Sequence, residues 1–179
     1  SIHMASGDAQ GALDDANVLL ELAPTLSLAK LRRAEANMSL SNWNDARKDL
    51  EVIVEESPHH YQALTNLASC FISMGRPEQA ESPLNDALRL NSEYTEAWHP
   101  RGLLYLDWGK EEAALNDFEA AVRCDGSHLD ARLHIAAIHH EANRYMEAEA
   151  AWNGVLAINP EHEVARRRKK ECEMAIATQ

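Results

Sequence analysis

The sequence predicts an all-α chain, an α-solenoid of antiparallel helix pairs with about ten helices, and three observations predict it. A 34-residue period runs through residues 27–162, and a period of that length marks stacked helical repeats. Small residues return at two fixed places in every period, where crossing helices need room. Only seven Gly and six Pro leave little chain for loops, while 45% apolar and 26% charged residues suit a chain that buries a core.

The period divides the chain into units at 27–60, 61–94, 95–128 and 129–162. Each unit reads as a helical hairpin. The first helices carry Ala34, Ala68, Gly102 and Ala136 at one place, and the second helices carry Ala46, Ala80, Ala114 and Ala148 at another. A larger side chain there would push the two helices apart. Four residues after each of those second-helix alanines stand Leu50, Leu84, Phe118 and Trp152, on the same helix face, so they form a core stripe. Gly75 and Gly109 fall at the turn inside the hairpin, with Ser41 and Asn143 as turn-tolerant substitutes. Pro58 and Pro160 close their units, where proline cannot continue a helix.

Before these units, residues 7–26 read as the second helix of a truncated repeat, with Ala12, Ala16, Leu19 and Pro24 in second-helix places. Residues 1–6, "SIHMAS", read as a vector remnant. Residues 163–179 read as a charged capping helix of the kind that repeat arrays need. Two prolines fall inside expected helices. Pro100 stands just beyond a first turn, where proline costs less, and Pro83 stands deeper in a second helix.

The third unit shows the pattern most fully. Trp98, Gly102 and Tyr105 are followed by Ala114, Phe118 and Ala121, and this order resembles the tetratricopeptide repeat (TPR), W-x2-L-G-x2-Y and then A-x3-F. Arg101 and Gly126 depart from it, in the places of a Leu and a closing Pro. The resemblance covers residues 7–160, and four tandem copies in register make it specific. It implies a right-handed superhelix whose concave groove, lined mainly by the first helices, holds an extended peptide or a helix of a partner protein.

Charge narrows the partner classes. The net charge is −12, yet residues 163–179 carry +2, so the rest of the chain is more acidic still and should repel nucleic acid. The basic run at residues 166–170 reads as a solvated helix face rather than a nuclear-localisation or nucleic-acid patch. No apolar stretch approaches the roughly 20 residues of a membrane-spanning helix, so membrane insertion is not expected. Cys70, Cys124 and Cys172 form no CxxC pair, which fits a reducing, cytoplasmic setting and buried or inert thiols.

Catalytic chemistry finds little support. The chain has no Gly-rich phosphate loop, no G-x-S-x-G and no H-E-x-x-H. His128, His134, His139 and His140 with Cys124 match no established zinc spacing. No catalytic residue, metal ligand or cofactor is assigned, and the chain is not expected to be an enzyme. His59 and His60 read as solvated turn residues. Trp108 follows no repeat place and is a candidate anchor if exposed.

The expected function is therefore non-enzymatic protein binding. Residues facing the implied groove include Leu31, Arg32, Gln62, Asn66, Ser69, His99, Leu103, Leu106, Leu133 and His134. They suit an extended or amphipathic peptide with apolar anchors and some basic residues, and the Asn66 amide could hold a peptide backbone. One well-defined TPR subclass, the co-chaperone domains that clamp a C-terminal carboxylate pair, is excluded. Its groove needs Lys, Asn and Arg donors, whereas the corresponding places here read Leu31, Glu35, Asn66, Glu96 and Pro100, and only Asn66 agrees. One unit further on they read Thr65, Ser69, Pro100, Asp130 and His134, with no agreement. Two alternatives stand beside this reading: a substrate-recruiting arm of a larger enzyme, and self-assembly through the exposed repeat ends.

Overall fold

The computed structural model describes residues 2–178, with side chains from residue 8 onward. The reading of residues 1–6 as a vector remnant thus concerns side chains outside the described residues. The described chain is all-helical. Its ten α-helices are α1 (Ile2–Leu22), α2 (Ser27–Ser39), α3 (Trp43–Glu56), α4 (Tyr61–Ser73), α5 (Glu81–Leu90), α6 (Thr95–Asp107), α7 (Glu111–Cys124), α8 (Leu129–Glu141), α9 (Tyr145–Ile158) and α10 (Glu163–Ala177). A single 3-10 turn, Pro77–Gln79, precedes α5.

Helices α2, α4, α6, α8 and α10 start at intervals of 34 residues, and successive helices pack on one another from α1 to α5 and again from α6 to α10. Several starts are fixed in an unexpected way. His60, His128 and His162 are N-caps whose ring Nδ1 accepts the backbone N–H of Ala63, Ala131 and Ala165 at 3.2, 3.3 and 3.2 Å. Each ring satisfies one of the donors that a helix start leaves open. His60 is accordingly a capping residue, half-buried, and not the solvated turn residue expected of it.

The hairpin turns need a left-handed residue. Gly75 and Gly109 both have φ of 70°, and Ser41 and Asn143 adopt 61° and 58° at the same place in their units. Only glycine does this without steric cost.

Pro83 reshapes its unit. A continuous helix from residue 77 would require the Pro83 nitrogen to donate to the Gln79 carbonyl, which proline cannot do, and its ring would crowd that carbonyl. The chain instead makes the 3-10 turn and restarts at Glu81, which moves Pro83 into the first turn of α5, where amides have no intrahelical partner. The expected deep interruption is thus relieved by shortening the helix. Pro100 stays inside an unbroken α6, which forgoes one backbone bond in its second turn.

The chain forms two compact units, Ser1–Ser92 and Glu93–Gln179. The core of the first gathers Ala34, Ala46, Leu50, Ile53, Ala63, Leu67 and Cys70. In the second, Phe118 with Ala114, Ala121, Ala131 and Ile138 forms one cluster, and Trp152 with Ala136, Ala148, Val155, Ala165 and Cys172 forms another. Gly102 shows how tight the crossing is: a Cβ added there would lie 2.7 Å from the Phe118 ring.

Candidate interaction surfaces

In the first unit the faces of α2 and α4 that the core leaves free carry apolar and amide side chains. Leu28 is 59% exposed and Ile72 36% exposed, while Arg32 and Gln62 are also exposed. Arg32 pairs with Glu35 on its own helix at 2.8 Å. Leu31 is half-buried and packs against the core, so it offers only part of its surface. Ser69 returns its hydroxyl to the Thr65 carbonyl at 3.1 Å. Asn66 is half-buried, and its side-chain amide finds no partner among the described residues.

In the second unit the corresponding faces belong to α6 and α8. Leu103 is 39% exposed. Leu106 and Leu133 are half-buried against the two core clusters. The histidines pack rather than project. The His134 ring stacks on Phe118 with centroids 4.7 Å apart, and His99 lies 4.9 Å from His128, 5.5 Å from His134 and 5.6 Å from Phe118. His99 Nε2 is buried without a hydrogen-bond partner. Burial, reinforced by His128 and His134 and opposed by Asp130, pushes the His99 pKa down to about 4. Burial lowers His134 as well. Both rings are therefore neutral at pH 7 and add no positive charge to this face.

Among the described residues no group of His, Cys, Asp and Glu is arranged to hold a metal ion. Burial raises the Cys70 thiol to about 11 and also raises Cys172, so neither supplies a thiolate nucleophile. His140 turns to α10: its Nδ1 lies 3.3 Å from Cys172 Sγ and its Nε2 3.2 Å from Arg168 Nη1. Trp108 is half-buried at the hairpin turn, 6.1 Å from the Tyr105 ring and with the Lys110 ammonium 4.8 Å over it, so it is no free-standing anchor. Four of the five residues in the basic run are paired with nearby glutamates. Arg166 meets Glu161, Arg167 and Arg168 meet Glu171, and Lys169 meets Glu173.

Besides the histidine caps, two features escaped the sequence reading. Arg101, the departure from the repeat pattern, makes a two-point ion pair with Asp117, as Arg33 does with Asp49 in the first unit. The signal was present, since both pairs are 16 residues apart and 68 residues out of step. The second is a polar cleft of about 430 Å³ in the first unit, lined by Asn17, Arg33, Asn37, Asn42, Lys48 and Asp49 among others. It draws on three helices, which no single helical face reveals.

No described helix is long and apolar enough to cross a membrane. Comparisons with known proteins agree with the helical-repeat geometry. The chain is 33% identical over 95 residues to serine/threonine-protein phosphatase T of Aspergillus oryzae, a match that covers 46% of this chain and 20% of the phosphatase. Its structure is similar to that of a thermophilic TPR protein of Thermus thermophilus, with a TM-score of 0.69, 23% identity and coverage of 94% and 92% of the two chains. It is also similar to YrrB, described as a TPR protein with an unusual peptide-binding site, with a TM-score of 0.72, 21% identity and coverage of 92% and 84%. Two profiles described as tetratricopeptide repeat match residues 38–100 and 99–163. With most of its length matched, the chain belongs to the tetratricopeptide repeat family, whose fold is that of a protein-interaction scaffold.

Proposed function

We propose that the chain is a non-enzymatic scaffold that binds an extended or amphipathic peptide of a partner protein on the first-helix faces that form the family's groove. The observation that carries this reading is the exposure of Leu28, Ile72 and Leu103 on faces the core does not use, together with the unpartnered amide of Asn66 on α4. Exposed aliphatic side chains give a partner apolar anchors, and a half-buried amide can both donate to and accept from a peptide backbone. The likeness to YrrB, a TPR protein with a peptide-binding site, supports the same reading. The three free cysteines fit a reducing, cytoplasmic setting. The test is capture of partners from a cell lysate by the chain and by its Asn66→Ala and Leu103→Asp variants. Loss of the same bands from both variants supports the proposal, and unchanged capture overturns it.

A second reading makes the array a recruiting arm of a larger enzyme. The match to a phosphatase of which only 20% is covered favours it, and the domain content of the full-length protein decides it.

A further inference from the structure

The polar cleft of the first unit lies at a place that the other repeats fill with a ring. In the 34-residue register Asn37 stands where Phe71, Tyr105 and His139 stand, so of the four repeats only the one at 27–60 lacks an aromatic side chain there. The cleft of about 430 Å³ opens at this place, between α1, α2 and α3, and Asn37, 5% exposed, forms its floor. A cavity of about 150 Å³ is enough to hold a benzene ring, so an aromatic side chain has room.

The surroundings of Tyr105 show what such a ring meets. The Arg101 guanidinium carbon lies 5.6 Å from the centre of the Tyr105 ring and 4.9 Å from that of Trp98, while two of its nitrogens are fixed on Asp117. Arg33, in register with Arg101, is held on Asp49 by the same two bonds, but no ring lies over it among the described residues. Its side chain is accordingly 33% exposed, against 16% for Arg101. A guanidinium fixed in this way offers its flat face to an aromatic ring.

The charges of the cleft are already matched. Its lining holds two cations, Arg33 and Lys48, and two carboxylates, Asp49 and Asp45, joined as Arg33–Asp49 and Lys48–Asp45 at 2.6 and 2.8 Å. Neither sign is in excess, so a neutral occupant suits it. Asn37 asks for one with a polar edge. Its Oδ1 accepts from Asn42 Nδ2 at 3.3 Å, whereas its own Nδ2 donates to no group among the described residues.

We propose that the cleft takes the tyrosyl side chain of a partner polypeptide, its ring against the Arg33 guanidinium as Tyr105 lies against Arg101, and its hydroxyl oxygen accepting from Asn37 Nδ2. A phenol is neutral, fills the ring place and brings the acceptor that a phenylalanine side chain lacks. Leu28, Ile72 and Leu103 do not line the cleft. The site therefore goes beyond the peptide-binding faces of the first helices and does not depend on them.

The test is titration of the 179-residue chain, labelled with nitrogen-15, with N-acetyl-tyrosinamide, whose blocked ends reproduce a residue within a polypeptide. The side-chain amide signals of Asn17, Asn37 and Asn42 are expected to shift saturably in NMR spectra, with a dissociation constant on the order of a millimolar. N-acetyl-phenylalaninamide, which leaves the Asn37 donor unmet, is expected to bind about fivefold more weakly. Asn37→Tyr places the ring of the other repeats in the cleft and should abolish binding, with a melting temperature no lower than the parent's. Asn37→Ala keeps the cleft open and should erase the preference for tyrosine, so the two variants separate a filled cleft from a misfolded chain. Equal affinity of the parent for the two ligands, shifts confined to residues outside the cleft, or undiminished binding by Asn37→Tyr overturns the proposal.

Discussion

Arg101 grips Asp117 with two parallel hydrogen bonds, Nε to Oδ2 at 2.8 Å and Nη2 to Oδ1 at 2.7 Å, across the hairpin of α6 and α7. Arg33 grips Asp49 in the same way between α2 and α3, at 2.7 and 2.6 Å. The fork of a guanidinium matches the two oxygens of a carboxylate, so the pair fixes register as well as charge. At the same places the unit at 129–162 has Ile135 and Ala151. The hairpin therefore accepts either a complete ion pair or an apolar pair. Half of either is the costly state.

That asymmetry can be measured by urea denaturation. Arg101→Ile leaves the Asp117 carboxylate buried without its partner and should cost about 3 kcal/mol. Adding Asp117→Ala to Arg101→Ile should recover most of that loss, because an apolar pair leaves no uncompensated charge. If the double variant is as unstable as the sum of the singles, the pair does not act as a unit.

The crossing at Gly102 makes a second case. A methyl group there meets the Phe118 ring at 2.7 Å, and Phe118 is fully buried, so it has little room to yield. Gly102→Ala should lower stability by roughly 1–3 kcal/mol. Phe118→Leu should also be destabilising alone, through the cavity it leaves. Together the two changes recreate the Ala34 and Leu50 pair of the first unit, so the double variant should be more stable than Gly102→Ala alone. Thermal melting of the three proteins checks the order.

Ser41 holds φ of 61° at an exposed hairpin turn, where its counterparts Gly75 and Gly109 adopt 70° freely. Relief of that left-handed strain outweighs the extra freedom glycine brings to the unfolded chain. Ser41→Gly should raise stability by about 0.5–1 kcal/mol, seen as a melting temperature a few degrees higher. Asn143 is a poorer place for the same change, because its Oδ1 accepts the Tyr145 hydroxyl at 2.6 Å.

These turn residues, like the small residues of the crossings, were legible in the sequence because backbone conformation and close approach leave few residue choices. Partnership was less so. The period tells which face of a helix a residue takes, and it did place His99 and His134 on the first-helix face. It does not say which neighbour covers that face, and here Phe118 and His128 come from outside both residues' own helices. His60 and His162 hid their capping role because a histidine before a helix also reads as a polar turn residue. Arg101 looked like a lapse from the pattern until Asp117 stood opposite. The proposed binding surface rests on exposed Leu28, Ile72 and Leu103, whose identities the architecture does not dictate.

The histidine cluster sets a pH dependence with a definite sign. The His99 pKa falls from 6.5 to about 4 in the folded chain, through burial first and then through the neighbouring His128 and His134, with Asp130 pulling the other way. His134 is lowered too. In the unfolded chain both rings return to the ordinary histidine range, so between about pH 6.5 and 4 the unfolded state binds more protons than the folded state. Stability contributed by these rings is whole above the unfolded pKa and is lost as the pH falls through that window. The melting temperature should therefore be several degrees lower at about pH 5 than at pH 7. His99→Leu, which places at this position the residue found as Leu31 and Leu133 in two other units, should flatten that dependence while preserving the helical signal. A variant whose melting temperature falls with pH as steeply as the parent's would show that the acid sensitivity arises elsewhere.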